Sequence, residues 1–181
     1  MRRQTLSQHL SRTLSIMAGL MLYGSIAATA HALDSDASAP IEIAADRLDV
    51  DDKAGTAVYT GDVDMQQGSM KLTADRVEIE RNAQGEVSRV TASNEAGRAY
   101  LEQKPAPQDP IVKGWGETII YHAAERRVEL MRQAELHQGG DTFNGAYVEY
   151  FLDRRQVQAR SQSESGAKER VRMTLTPQTT E

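Results

Sequence analysis

The 181-residue chain contains no cysteine, one tryptophan, two phenylalanines and five prolines. Without thiols no disulfide can staple the fold, so apolar burial and backbone pairing must supply its stability. Basic residues are in the minority, 21 against 26 acidic. A phosphate backbone demands a basic stripe, and an acidic chain offers none, which argues against nucleic acid as a partner. The shortage of aromatics also removes the girdle of an outer-membrane barrel, whose strands of about ten residues are longer than the runs expected here. Candidate chemistry is equally thin. Beyond residue 32 the only histidines are His122 and His137, which read as surface or strand-flank residues rather than bases or ligands. Asp49, Asp51 and Asp52, like Asp62 and Asp64, lack the glycine-centred loop and closing glutamate of a calcium site. The doublets Arg126-Arg127 and Arg154-Arg155 are too short for a phosphate-binding patch and read as exposed strand ends. No catalytic residue, metal or cofactor is expected.

The chain opens with Arg2, Arg3 and Arg12, no acidic residue, an apolar run over 16–28 and then Ala30-His31-Ala32. This is the grammar of a secretory signal peptide, residues 1–32, cut before Leu33. A retained membrane anchor is the competing reading, but the run is short and broken by Ser15, Gly19, Gly24 and Ser25. Cleavage leaves 18 basic against 26 acidic residues, a net charge of −8. Residues 33–40 are small and polar, a flexible leader. A single domain is expected over 41–176, and 177–181 form a tail.

The most informative feature is a repeat. Residues 56–79 (TAVYTGDVDMQQGSMKLTADRVEI) return without a gap as 127–150 (RVELMRQAELHQGGDTFNGAYVEY), each matched pair 71 positions apart. Val63 falls on Ala134, Met65 on Leu136, Gly68 on Gly139, Leu72 on Phe143 and Val77 on Val148. Repetition on this scale marks a stacked architecture. Within each copy the apolar period is two, as in Leu48 and Val50 around Asp49 or Val77 and Ile79 around Glu78, which predicts strands with one dry face. Ala57, Tyr59, Gly61, Val63 and Met65 hold one parity through the glycine, so Gly61 reads as a bend or bulge.

Residues 117–137 pull the other way. Ile120, Ala124, Val128 and Met131 have helical spacing among strong helix formers, and alone would read as a helix. The first copy, with a glycine amid β-branched and aromatic residues, makes a poor helix, so both copies are expected to be strand. Arg132 then takes the place of Gly61. Residues 103–110, with three prolines, disfavour helix and ladder. They join two halves that stack into one sheet system, or else link two domains. Polar residues 161–170 form a loop before a last alternating run, Val171, Met173 and Leu175.

Three blocks carry a family resemblance: Ala39 onward (APIEIAADRLDV), Val58 onward (VYTGDVDMQQGSMKLTADRVEIE) and Val112 onward (VKGWGETIIYHAAERRVEL). The core Tyr59-Thr60-Gly61-Asp62-Val63, followed by Gln67-Gly68 and Ala74-Asp75-Arg76-Val77, resembles the LptA/OstA-like periplasmic lipopolysaccharide transport family over nearly all of the chain beyond the signal. The resemblance implies an all-β fold, a twisted β-jellyroll of stacked short antiparallel strands open at both ends. It implies a non-enzymatic periplasmic carrier of lipopolysaccharide, meeting an LptC-like inner-membrane protein at its N-terminal edge and an LptD-like outer-membrane protein at its C-terminal edge. Arg132-Gln133, where a Thr-Gly-like corner is usual, departs from the pattern and bears on the local bend.

The residues themselves support a lipid groove without naming the lipid. A buried methylene is worth about 0.8 kcal/mol, so an acyl chain of about a dozen carbons loses roughly 10 kcal/mol in water and needs continuous apolar cover. The dry faces supply Ile41, Ile43, Tyr59, Val63, Met65, Met70, Leu72, Val77 and Ile79, then Tyr121, Leu130, Leu136, Phe143, Val148 and Tyr150. Tyr100 joins them through the resemblance alone. Ordinary core packing is the bland alternative for each. Two bare sheet ends, at 41–45 and 171–175, invite head-to-tail self-association. The remaining rival is an enzyme on a stacked β scaffold acting on envelope glycans, which would need convergent carboxylates and basic residues in one cleft.

Overall fold

The computed structural model describes residues 39–161 and 170–177. The expected signal segment 1–32 and leader 33–40 up to residue 38, residues 162–169 and the last four residues lie outside the described residues. Twelve strands make up the fold: β1 (Ile41–Ala44), β2 (Arg47–Asp51), β3 (Thr56–Gln67), β4 (Met70–Arg81), β5 (Val87–Ser93), β6 (Ala99–Gln103), β7 (Val112–Gly116), β8 (Thr118–His122), β9 (Arg127–Gln138), β10 (Asp141–Phe151), β11 (Gln156–Arg160) and β12 (Arg172–Thr174). Residues 117–137 contain strands β8 and β9 and no helix, so the repeat outweighed the helical spacing. β-strand pairing on both sides of β9 is the tertiary reason. Strand length departs from expectation. β3, β4 and β9 each run 12 residues and β10 runs 11, because each is two shorter strands joined through a corner.

All pairings are antiparallel. The corners divide the sheet into two layers. Layer A holds β1, residues 63–67 of β3, 70–74 of β4, β6, β7, 134–138 of β9, 141–145 of β10, and β12. Layer B holds β2, residues 56–60 of β3, 76–81 of β4, β5, β8, 127–131 of β9, 147–151 of β10, and β11. The long strands join the layers along one edge, and the hairpin tips of each layer lie along the other. The two copies match strand for strand, β1 to β6 on β7 to β12. They join where β5 pairs β8 and β6 pairs β7. The proline segment is the hairpin loop of that second pairing, not a linker.

Each corner is a bulge. The β3–β4 register steps from Thr60 opposite Arg76 to Val63 opposite Ala74, one extra residue on β3. The β9–β10 register does the same between Met131 opposite Tyr147 and Ala134 opposite Gly145. Two successive left-handed residues turn the chain: Gly61 and Asp62 (φ 83° and 41°) in the first copy, Arg132 and Gln133 (φ 56° and 53°) in the second. The Asp46 amide donates to the Gly61 carbonyl at 3.0 Å, and the Glu117 amide to the Arg132 carbonyl at the same distance. The atypical Arg132-Gln133 pair therefore keeps the bend. A non-glycine residue in this region costs on the order of 1 kcal/mol or more. Side-chain bonds offset that cost here. Arg132 donates to Glu117 Oε2 and to Thr118 Oγ1, both at 2.7 Å, and Gln133 donates to Glu117 Oε1 at 2.9 Å. Arg132 first, and then Gln133, hold the Glu117 carboxyl below the usual carboxylate range. Arg132→Ala keeps the strain and loses the bonds, so it should destabilise by about 2 kcal/mol, whereas Arg132→Gly should lose only about 1. Urea unfolding of the two variants checks the order.

Candidate functional site

The inner faces of the two layers form one apolar seam running the length of the stack. Val63, Met65, Met70, Leu72, Val77, Ile79, Tyr121, Leu130, Leu136, Val148 and Tyr150 are all buried in it. Ile41, Ile43, Tyr59 and Phe143 pack against it while remaining partly exposed. Fifteen of the sixteen residues assigned from sequence thus share one lining. Tyr100 does not. Strand alternation sends its neighbours Ala99 and Leu101 into the core and Tyr100 to the outer face of β6, where its hydroxyl donates to Glu102 Oε2 at 2.7 Å. There it is 5.2 Å, ring to ring, from Trp115. Val90, Ala92, Leu101, Val112, Ile119 and Val128 also belong to the seam, as do Leu152 and several alanines, beyond the residues expected from sequence. Their own alternation could have found them.

The lining is packed against itself. Leu72, Val77, Ile119, Leu130 and Val148 have no exposed surface, so the seam is closed along its middle. It opens at its ends. On β2 Leu48 and Val50 are 50% and 55% exposed, and at the other end Met173 and Leu175 are 50% and 63% exposed. These ends are also backbone edges: β1 and β2 pair only with β3, and β11 and β12 only with β10, among the described residues.

Polar groups tie the layers together at the hairpin-tip edge. Gln138, at the end of β9 in layer A, donates to the Tyr150 hydroxyl of β10 in layer B at 3.2 Å. Beside it Arg155, in the β10–β11 turn, pairs with Asp109 of the β6–β7 loop at 2.5 Å. Burial, and then the Asp109 charge, push the Tyr150 phenol up to about 12, with Arg155 opposing. An unfolded tyrosine titrates near 10, so the neutral phenol's contribution is complete below pH 10 and lost as the pH rises towards 12. Tyr150→Phe should flatten the alkaline fall in stability, and at neutral pH should cost only about 1 kcal/mol through the lost bond to Gln138. Spectrophotometric titration alongside denaturation tests both.

Arg154 and Arg155 are exposed beside a strand end as expected, whereas Arg126 and Arg127 are partly buried. The Arg127 side chain is only 13% exposed and pairs with Glu149 at 2.9 Å, with Glu125 at 2.6 Å and with Glu129. Arg126 pairs with Asp153, and Arg154 sits 4.0 Å over the Phe151 ring. Turn geometry brings these charges together, which linear spacing could not reveal. The histidines flank strands as expected, His122 beside Glu129 at 3.0 Å and His137 beside Glu135 at 2.6 Å. Asp51 accepts the amides of Lys53 and Ala54, and Asp52 pairs with Arg81. The aspartates of that turn are thus engaged in structure. Among the described residues no group of histidine, aspartate and glutamate side chains is arranged to hold a metal ion.

Known proteins match this arrangement. A family model described as LptA/(LptD N-terminal domain) LPS transport protein covers residues 42–156. The lipopolysaccharide export system protein LptH of Pseudomonas aeruginosa is 43% identical over 130 residues, 72% of this chain and 73% of that protein. The export protein LptA of Escherichia coli K12 is 27% identical over 144 residues, 80% and 76% of the two chains. The crystal structure of LptH from Pseudomonas aeruginosa, described as the LptA-homologous periplasmic component of the lipopolysaccharide transport device, superposes with a TM-score of 0.72 at 38% identity. It covers 79% of this chain and 99% of that one. With more than half its length under one family model and a relative this close in sequence and fold, the chain belongs to the LptA/(LptD N-terminal domain) family of lipopolysaccharide transport proteins.

Proposed function

We propose that this chain works in the periplasm, after loss of residues 1–32, as a bridge that carries lipopolysaccharide with its acyl chains sheltered between layers A and B. The observation that carries this reading is a continuous apolar seam emerging at both ends onto unpaired strand edges. A water-crossing path for lipid needs that continuity, since each methylene left in water costs about 0.8 kcal/mol. Without residues 1–32 the net charge is −8, so attraction should come from the acyl chains more than the anionic headgroup, and binding should tolerate salt.

The internal joint supplies a template for self-association. Within the chain Leu101 faces Gly114 and Ala92 faces Ile119 across β6–β7 and β5–β8. Their counterparts at the free ends are Met173 with Ile43, and Ala159 with Leu48. Adding a second molecule in the same register covers Leu48, Val50 and Met173, and leaves a fresh end for a third. The same N-terminal edge would receive an LptC-like partner and the C-terminal edge an LptD-like one.

Site-specific photo-crosslinking in living cells tests the lipid path. Crosslinkers at Tyr59, Leu72 and Phe143 should capture lipopolysaccharide, while outward Lys71 and Glu78 should not. Equal capture from both faces, or none from the seam, sinks the reading.

A further inference from the structure

The closed seam raises a mechanical question, since an acyl chain can enter its middle only if the layers part. The two layers are covalently joined at the corners, so parting has to occur at the hairpin-tip edge. There the β6–β7 loop stands out. It has no counterpart inside either copy, because it spans the junction between them. Its three prolines restrict its backbone, and the Asp109 amide donates to the Ala106 carbonyl at 2.9 Å to close a turn. Pro110 lies against the β9–β10 turn, close enough that a Cβ on Gly139 would stand 3.3 Å from its ring. The loop is thus fastened to layer A, and its Asp109 side chain, only 8% exposed, reaches over to Arg155 of layer B. Arg155 holds a left-handed backbone, φ 51°, as Arg126 does at φ 46° in the β8–β9 turn. The same conformation occurs at Gly55 and Gly85 in the corresponding turns of the first copy, so it belongs to the turn that sets Arg155 in place. The Gln138–Tyr150 bond joins the same two layers directly beneath.

We infer that Asp109 and Arg155, backed by Gln138 and Tyr150, form a latch across the hairpin-tip edge, and that an acyl-chain amphiphile enters the middle of the seam only when this latch is released. The latch is polar, whereas the seam it closes over is apolar apart from the buried Gln103 at the end of β6. It can therefore open into water at little cost, its charges becoming hydrated, whereas the core below re-forms its contacts around the incoming chain. Closed, the Asp109 carboxylate is covered and matched by the guanidinium of Arg155, whose side chain is 54% exposed, so the pair holds the layers together in the unloaded protein and meets water directly when it parts. This inference rests on the lipid-carrying reading above.

The absence of native cysteine makes the test clean. An Asp109→Cys/Arg155→Cys double variant can be bridged by a disulfide-containing bis-maleimide, which spans the gap left by the two shortened side chains and is cut by reductant, and uptake of fluorescently labelled lipopolysaccharide is followed by stopped flow. The bridged form should associate at least about tenfold more slowly than the cleaved form, with the rate restored by reductant. Asp109→Asn, which needs no new bond to form, should associate about three- to tenfold faster than the parent chain. Equal rates for the locked, released, Asp109→Asn and parent proteins overturn the latch while leaving the carrier intact. If the parent chain itself takes up no lipopolysaccharide, the carrier reading falls and the latch with it.

Discussion

Charge placed on the N-terminal edge, as Leu48→Asp/Val50→Asp, should leave a folded monomer whose affinity for its own kind is weaker by about 100- to 1000-fold. Both side chains are half exposed in the isolated molecule, so the substitutions remove little packing from it. In the register of the internal joint they would instead face Ala159 and Val157 of the next molecule, a fully covered environment. Losing the remaining burial of a leucine and a valine costs about 2 kcal/mol together, and desolvating two carboxylates adds several more. Met173→Asp should do the same at the other edge, with Ile43 as the lost neighbour. The decisive measurement mixes the two variants. Each retains one good edge, of opposite kind, so sedimentation velocity should find two monomeric proteins that form a one-to-one dimer and nothing longer. Dimers from either variant alone would mean that like edges meet, which a head-to-tail contact forbids.

Gly61→Ala should be among the most destabilising small substitutions in the chain, about 3 kcal/mol, against about 1 kcal/mol for Gly85→Ala. Both glycines have φ 83°, so both alanines carry the same backbone strain. Space separates them. A Cβ at Gly85 meets nothing within 4 Å, whereas one at Gly61 would stand 2.3 Å from Asp46 Oδ2 and 2.8 Å from Asp46 Cβ. The Asp46 backbone cannot retreat without giving up its 3.0 Å hydrogen bond to the Gly61 carbonyl, which anchors β2 at the corner. At about 2–4 °C per kcal/mol for a domain of this size, the melting midpoint should fall roughly 10 °C for Gly61→Ala and about 3 °C for Gly85→Ala. Equal shifts would mean that strain alone governs the corner and that the approach of Asp46 is unimportant.

The two glycines also mark what can be read from a linear pattern. That Gly61 bends a strand was legible, because apolar parity ran through it unbroken. That its counterpart would be Arg132 in the same left-handed state was legible only as a question, since nothing local favours arginine there. The answer lies in Glu117 and Thr118, neighbours across the bend. Residues 117–137 show the converse case. Their spacing satisfied a helix as well as a strand, and local propensity favoured the helix. Pairing to β8 and β10 decided the matter, a contribution no single segment contains. Tyr100 joins the lining by resemblance alone, and its alternation with Ala99 and Leu101 sets it on the outer face of β6.

By itself the sequence determined the strand content, the 71-residue internal duplication and fifteen residues of the apolar lining, because period-two burial and repetition are properties of the chain order. Tertiary structure alone decided that each long strand serves two layers, that the lining closes on itself, and that Arg127, Arg155 and Asp109 find partners from distant turns. Those outcomes depend on which segments become neighbours once two copies stack, and the energies of a buried charge or a closed seam exist only after that stacking has excluded water.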